Sequence, residues 1–211
     1  MNLVYIHGNH QSGNSFNFIR SQLWQYESTV LEYESQNGFF RNHQAMLDGI
    51  GHLDNLFFVA HSLGGIHALH LANELAEKVV GGVTLSTPYG GSKAAEVVQF
   101  FLPFSKVVKD IQPLSQPILQ GHEFTLSLPW VNVLTTEGHS PFMAAANDGV
   151  VTHESMRHRE DISVVEVASN HYEVLLNYEV IEIIRNTIAQ VGWTKRLRDT
   201  YSVQNGICRG A

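Results

Sequence analysis

Ser62 stands in Ala60-His61-Ser62-Leu63-Gly64-Gly65, directly after the apolar run Asn55-Leu56-Phe57-Phe58-Val59 and directly before Ile66-His67-Ala68-Leu69-His70-Leu71-Ala72. This pattern predicts a strand that turns sharply into a helix with a serine at the apex, a nucleophile elbow. Small residues two before and two after the serine let strand and helix approach, while the hydroxyl is lifted above the sheet. The first small residue is Ala60 where glycine is usual, at a position that needs a small side chain more than a positive φ. A serine hydroxyl is a poor nucleophile at neutral pH, so it needs a general base, and that base needs a carboxylate to orient it.

In open parallel sheets reactive groups sit at the carboxyl ends of strands, which prunes the candidates. Of twelve histidines, His171 alone directly follows a late apolar strand, Ser163 to Ala168, and precedes a long helical pattern. It is the expected base. Asp148, in Ala146-Asn147-Asp148-Gly149-Val150-Val151, precedes His171 by one short connection and one strand and is the expected acid. Glu137, at the end of the preceding strand, is its rival, whereas Asp161 enters its strand from the amino end, on the wrong side of the sheet. The oxyanion formed by attack on a carbonyl needs backbone N–H donors. One is expected from Leu63 and the other from Asn9 or His10, in the loop His7-Gly8-Asn9-His10-Gln11-Ser12-Gly13 that follows the first strand. His7, at that strand end, is expected to hydrogen-bond within the loop.

No metal is expected. His67 and His70 are spaced i,i+3, and His153, Glu154 and His158 cluster later, but cysteine ligands and an H-E-x-x-H spacing are missing. These histidines read as helix-surface or packing residues. A glycine-rich phosphate loop and a dinucleotide fingerprint are also missing, so no cofactor is expected. The chain has 13 basic and 20 acidic residues in 211, a formal net charge of −7 without a basic block, which argues against nucleic-acid partners and an anionic membrane surface. The first residues read as a strand and not a signal peptide, and no stretch reaches the roughly 18 to 20 apolar residues of a membrane span. The sole cysteine, Cys208, can staple nothing. A cytoplasmic location is the expectation.

The elements that must position these groups alternate along the chain. Strands are predicted at 2–6, 29–33, 55–60, 80–86, 130–135 and 162–168, and helices near 15–26, 41–52, 63–77 and 172–190. That alternation predicts one α/β domain over 1–211, with a parallel sheet covered by helices on both faces. Residues 89–129, with their glycines and prolines, break it and read as an insertion. Phe100, Phe101, Leu102 and Phe104 lie within it and are expected to line or cover an acyl site, so the insertion reads as a lid or cap. The competing expectation is an ordinary helix packed into the core. The tail after Gly192 carries no periodic signal.

Taken together, His7-Gly8, Ala60 to Gly65, Asp148-Gly149-Val150-Val151 and His171 resemble the α/β-hydrolase superfamily, and more narrowly its small bacterial lipases and esterases, over most of residues 2–190. The A-H-S-x-G-G form is similar to the minimal Bacillus-type lipases. Ser86-Thr87-Pro88-Tyr89-Gly90-Gly91-Ser92 is similar to the T-P-x-x-G-S segment of lipases and lipid-anchor deacylases, and Asn170 to Leu175 to the histidine segment of true lipases. The chain is expected to lack the two antiparallel strands that open larger members, so the implied α/β-hydrolase sheet has about six strands. The resemblance implies hydrolysis of a small-molecule carboxylic ester through an acyl-enzyme on Ser62. A thioesterase or acyltransferase would use the same three residues, and a non-catalytic ligand-binding relative is the remaining alternative.

Overall fold

Leu3 and Tyr5 bury themselves on one side of β1 (Asn2–Ile6), Val4 and Ile6 on the other. The same alternation in β3 (Leu56–His61) sends Phe57 and Val59 one way and Phe58 and Ala60 the other. With both faces apolar, such strands can be satisfied only inside a sheet covered on two sides. The computed structural model describes residues 1–92, 95, 104–140 and 143–204, with 194–204 as backbone alone. Together with β2 (Glu27–Leu31), β4 (Val79–Leu85), β5 (Trp130–Thr135) and β6 (Ser163–Val167), these strands form one sheet in the order β2-β1-β3-β4-β5-β6, parallel at every pairing. The chain runs outward from β1 to β2, then returns to β3, so the strand order reverses between β1 and β3. That is where open sheets of this kind gather their reactive groups.

One face is covered by α2 (Phe39–Ile50) and α3 (Leu63–Glu74), the other by α1 (Asn17–Gln22) and α7 (Tyr178–Gln204). Helix α3 is buried without interruption from Leu63 to Ala72, as its run of apolar and small residues requires. Strand ends fall within one residue of the expected positions, except that β2 begins at Glu27 and not 29 and ends at Leu31 and not 33. It is an edge strand with an exposed start, so Glu27 and Ser28 cost it nothing. The helix expected at 15–26 is instead a 3₁₀ turn (Gly13–Phe16) followed by the short α1. The one expected at 172–190 is a 3₁₀ turn (Glu173–Leu176) and then α7, restarted where the Asn177 side-chain carbonyl accepts the Glu179 N–H at 2.8 Å. Helix α7 continues through the tail to Gln204.

The insertion carries α4 (Lys106–Asp110) and α5 (Gln116–Glu123), and the short α6 (His153–Met156) follows β5. Val107, Ile118 and Leu126 enter the α2/α3 side of the core. Asp110 accepts the Phe39 N–H at 2.8 Å, capping α2 from 71 residues away. The Arg159 guanidinium donates to the carbonyls of Gly121 and Phe124 and pairs with Asp161. Within the described part of the insertion these side chains pack against the domain, whereas Phe104 and Leu114 are exposed. Phe100, Phe101 and Leu102 lie outside the described residues. Among the described residues no helix is long and apolar enough to cross a membrane.

Candidate active site

Register brings the site together. Ile6 lies beside Ala60, His61 beside Leu85, and Thr135 beside Val167, so the loops after β1, β3, β4, β5 and β6 emerge along one rim. Ser62 follows β3 with φ 51° and ψ −121°, a conformation that costs a non-glycine residue on the order of 1–3 kcal/mol. What holds it there is its N–H, bonded to the Leu85 carbonyl at 2.8 Å, and the close seating of α3. A Cβ on Gly64 would stand 2.3 Å from the Ile6 carbonyl oxygen, and one on Gly65 would stand 1.9 Å from Thr87 Oγ1. No residue with a side chain lets the helix start this close to the sheet. Ala60, wholly buried between β1 and β4, fits without a glycine.

Three groups far apart in sequence meet at the rim. His171 Nε2 lies 3.1 Å from Ser62 Oγ, and His171 Nδ1 lies 2.8 Å from Asp148 Oδ2. A carboxylate can only accept, so Nδ1 carries the proton and Nε2 is left to accept from the Ser62 hydroxyl. Asp148 and His171 are 1% and 2% exposed. Burial pushes the Asp148 carboxyl up, but its hydrogen bonds outweigh that and hold it below the usual carboxylate range. The donors are His171 Nδ1, the Thr135 hydroxyl at 2.5 Å, and the N–H groups of Val150 and Val151 at 3.0 and 2.7 Å. The His171 N–H also donates to the Asp148 carbonyl at 3.2 Å, so backbone and side chains of the two loops are both tied. Asn170 Oδ1 fixes the next turn by accepting from Tyr172 and Glu173 N–H. Glu137 is solvent-exposed, and Asp161 is held by Arg159 and the Leu126 N–H.

A cavity of about 110 Å³ opens over Ser62, bounded by Asn9, Leu63, Val107, Ile111, Val151 and Tyr172 among others. Leu63 opens α3, so its N–H is one of those a helix cannot satisfy internally. Asn9 borders the cavity. His10 does not: its N–H lies 3.4 Å from Ser35 Oγ, and its side chain is exposed. Phe104 does not line it either; it is 93% exposed just before α4. His7 donates from Nδ1 to the Gly8 carbonyl at 2.8 Å and accepts the Tyr33 N–H on Nε2 at 3.3 Å. A larger cavity of about 290 Å³, beyond Gly90 and Gly91, is lined by His122, His158 and Glu154; its two hydroxyls are tied to backbone, Ser155 donating to the Gly91 carbonyl at 2.6 Å and Thr152 accepting the Ser155 N–H at 3.3 Å.

Sequence reasoning missed Thr135, His61 and Gln11. Thr135 left one trace, a hydroxyl at the carboxyl end of a mostly apolar strand. His67 and His70 are buried packing residues rather than surface ones, at 0% and 3% exposure. Among the described residues no three His, Cys, Asp or Glu side chains come together to hold a metal ion.

No protein-family model matches this chain, and no curated protein matches it in sequence. Solved structures do. A mature-form lipase of Bacillus licheniformis is similar at 14% identity and a TM-score of 0.66, over 88% of this chain and 91% of that one. A monoacylglycerol lipase of Paleococcus ferrophilus gives 15% identity and 0.60, over 91% and 93%. A structure from work on carboxylesterases of the thaumarchaeon Nitrososphaera gargenis gives 12% and 0.66, over 92% and 91%. With its strand order, all-parallel sheet and strained serine turn between β3 and α3, the chain has the α/β-hydrolase fold.

Proposed function

We propose that the protein hydrolyses carboxylic esters, with Ser62 as nucleophile, His171 as general base and acid, and Asp148 as the carboxylate that orients the imidazole. The observation that carries this reading is the unbroken hydrogen-bonded line from Ser62 Oγ through both nitrogens of His171 to Asp148. Ser62 Oγ attacks the ester carbonyl as its proton passes to His171 Nε2. The imidazolium so formed lies against an ionised carboxylate. The oxyanion is received by the N–H groups of Leu63 and Asn9. Collapse expels the alcohol, which takes the proton from Nε2, and leaves Ser62 acylated. Water then attacks the acyl group, giving its proton to Nε2, and the acid departs as Ser62 recovers its proton.

The acyl part is uncharged. The described lining of the cavity contains no Lys, Arg, Asp or Glu, and Leu63, Val107, Ile111 and Val151 give it apolar walls. The lipases and carboxylesterases among the structural neighbours support the same reaction class. The test is labelling with a fluorophosphonate, read by the mass of the peptide carrying Ser62, beside turnover of p-nitrophenyl esters from acetate to palmitate and of acyl-coenzyme A. Labelling at Ser62, its loss in Ser62→Ala, and faster turnover of esters than of thioesters are expected. A wild-type protein that stays unlabelled and cleaves no ester overturns the reading.

A further inference from the structure

His61 precedes the serine, is buried to 1% exposure, and does not touch Ser62 Oγ or Asp148 through any hydrogen bond among the described residues. Its two nitrogens reach in opposite directions. Nε2 lies 2.8 Å from the backbone carbonyl oxygen of His171, and Nδ1 lies 2.9 Å from Gln11 Oε1. Gln11 Oε1 in turn accepts the Gly8 N–H at 3.0 Å, and the Gln11 N–H donates to the Gly8 carbonyl at 3.3 Å. One ring therefore spans from the loop that carries the base to the loop after β1 that carries Asn9.

The consequence lies in a single peptide plane. The carbonyl of Gly8 and the N–H of Asn9 belong to the same trans peptide and point in opposite directions. His7 Nδ1 and the Gln11 N–H hold that carbonyl on one side, so the Asn9 N–H is aimed to the other. The fit is close, because a Cβ on Gly8 would stand 2.8 Å from His61 Nδ1, 2.9 Å from Gln11 Oε1 and 3.2 Å from Ser62 Cβ. His10, at the tip of this turn, adopts φ 54°, so the turn is also conformationally strained. Gln11 is half-buried and has no other role in the site.

We propose that His61 and Gln11 are positioning residues that act as one brace, setting the Asn9 N–H against the His171 loop so that oxyanion donor and base keep a fixed separation. This rests on the hydrolase reading above. A neutral His61 can donate only one proton, although both neighbours, the Gln11 oxygen and the His171 carbonyl, are acceptors. Burial and the nearby His171 hold it neutral, down to about 3. Only one of the two contacts carries the proton at a time, and in either tautomer the buried ring fills the space between the two loops.

The experiment is a double-mutant cycle on Gln11→Met and His61→Phe, with kcat and KM on p-nitrophenyl butyrate and inhibition by phenylboronic acid, which forms a tetrahedral adduct on a reactive serine. Each single change is expected to lower kcat by about tenfold or more, with KM held within about threefold and boronate affinity falling in parallel with kcat. The double variant is expected to be no worse than the weaker single one, because both cut the same connection. Thermal melts accompany each variant, and His61→Asn, which keeps a donor toward Gln11 but not toward His171, replaces His61→Phe if that variant does not fold. The brace is overturned if Gln11→Met and the folded His61 variant keep kcat within twofold, if losses multiply in the double variant, or if KM moves while boronate affinity does not. A wild type that neither labels at Ser62 nor cleaves the ester overturns the hydrolase reading itself. An active wild type with indifferent variants removes the brace alone.

Discussion

Two histidines, His171 and His67, are both buried, one beside Ser62 and one in the helix that follows it, yet their surroundings make them different chemical objects. At the rim, every polar atom of the group around His171 has a partner: a hydroxyl on one nitrogen, a carboxylate on the other, and three further donors on that carboxylate. Between α2 and α3, His67 lies stacked on Phe39 with ring centres 4.1 Å apart and meets Tyr33 edge-on at 5.1 Å. Neither of its nitrogens has a hydrogen-bond partner among the described residues. His43 and His70 flank the same Phe39 ring, the first paired with Glu74 and the second donating to the Pro117 carbonyl. Burial alone does not distinguish an imidazole placed to relay a proton from one that fills space. The partners of its nitrogens do.

The sharpest way to break that contrast is to exchange the two. His171→Gln keeps polarity and rough size but cannot relay the Ser62 proton, and kcat is expected to fall by roughly 10⁴-fold or more with the melting temperature little changed. His67→Phe replaces one stacked ring with another and is expected to leave kcat within about twofold. Ester turnover of both purified variants checks this; a His67→Phe protein as inactive as His171→Gln would mean that the stack takes part in the reaction.

A smaller effect is expected one step back from the base. Thr135→Val removes the hydroxyl 2.5 Å from Asp148 Oδ2 and leaves that buried oxygen short of a donor. The Asp148 carboxyl then moves up from its lowered position, since Thr135 is one of the groups that holds it down. Because that carboxylate orients the imidazole and stabilises its protonated form, kcat is expected to fall about tenfold at neutrality. An unchanged kcat would show that the His171 and backbone donors suffice without Thr135.

Much of the rim was legible because its chemistry depends on position after a strand. Ser62, Asp148 and His171 each follow an apolar run that had to be a strand, and parallel topology sends all such loops to one edge. The stack was less legible. A histidine at i,i+3 on an apolar helix reads equally as surface or packing, and its real surroundings come from Tyr33 and Phe39, outside α3. Boundaries failed where a cap comes from afar or from a side chain with several possible uses, as with Asp110 at the start of α2 and Asn177 before α7. His61 and Gln11 were invisible as a pair, because nothing at their separation in sequence announces a shared partner.

The stack also makes a prediction about stability in acid. Burial, reinforced by the neighbouring histidines, holds His67 well below its ordinary value, and burial holds His70 down to about 4 despite its bond to Pro117 and the nearby Glu74. In the unfolded chain both take up a proton near pH 6.5. Between that pH and the lower folded values the unfolded state binds more protons, so stability is complete above about pH 6.5 and is lost as pH falls toward 4. Each such group can contribute up to about 1.4 kcal/mol per pH unit within this window. His67→Phe removes one of the two while keeping the ring contact with Phe39. Its advantage over wild type in urea unfolding is expected to be about 1 kcal/mol larger at pH 5.5 than at pH 8. A parallel pH dependence in the two proteins would mean that His67 charges freely in place, and that the space between α2 and α3 admits water or a counter-charge to meet it.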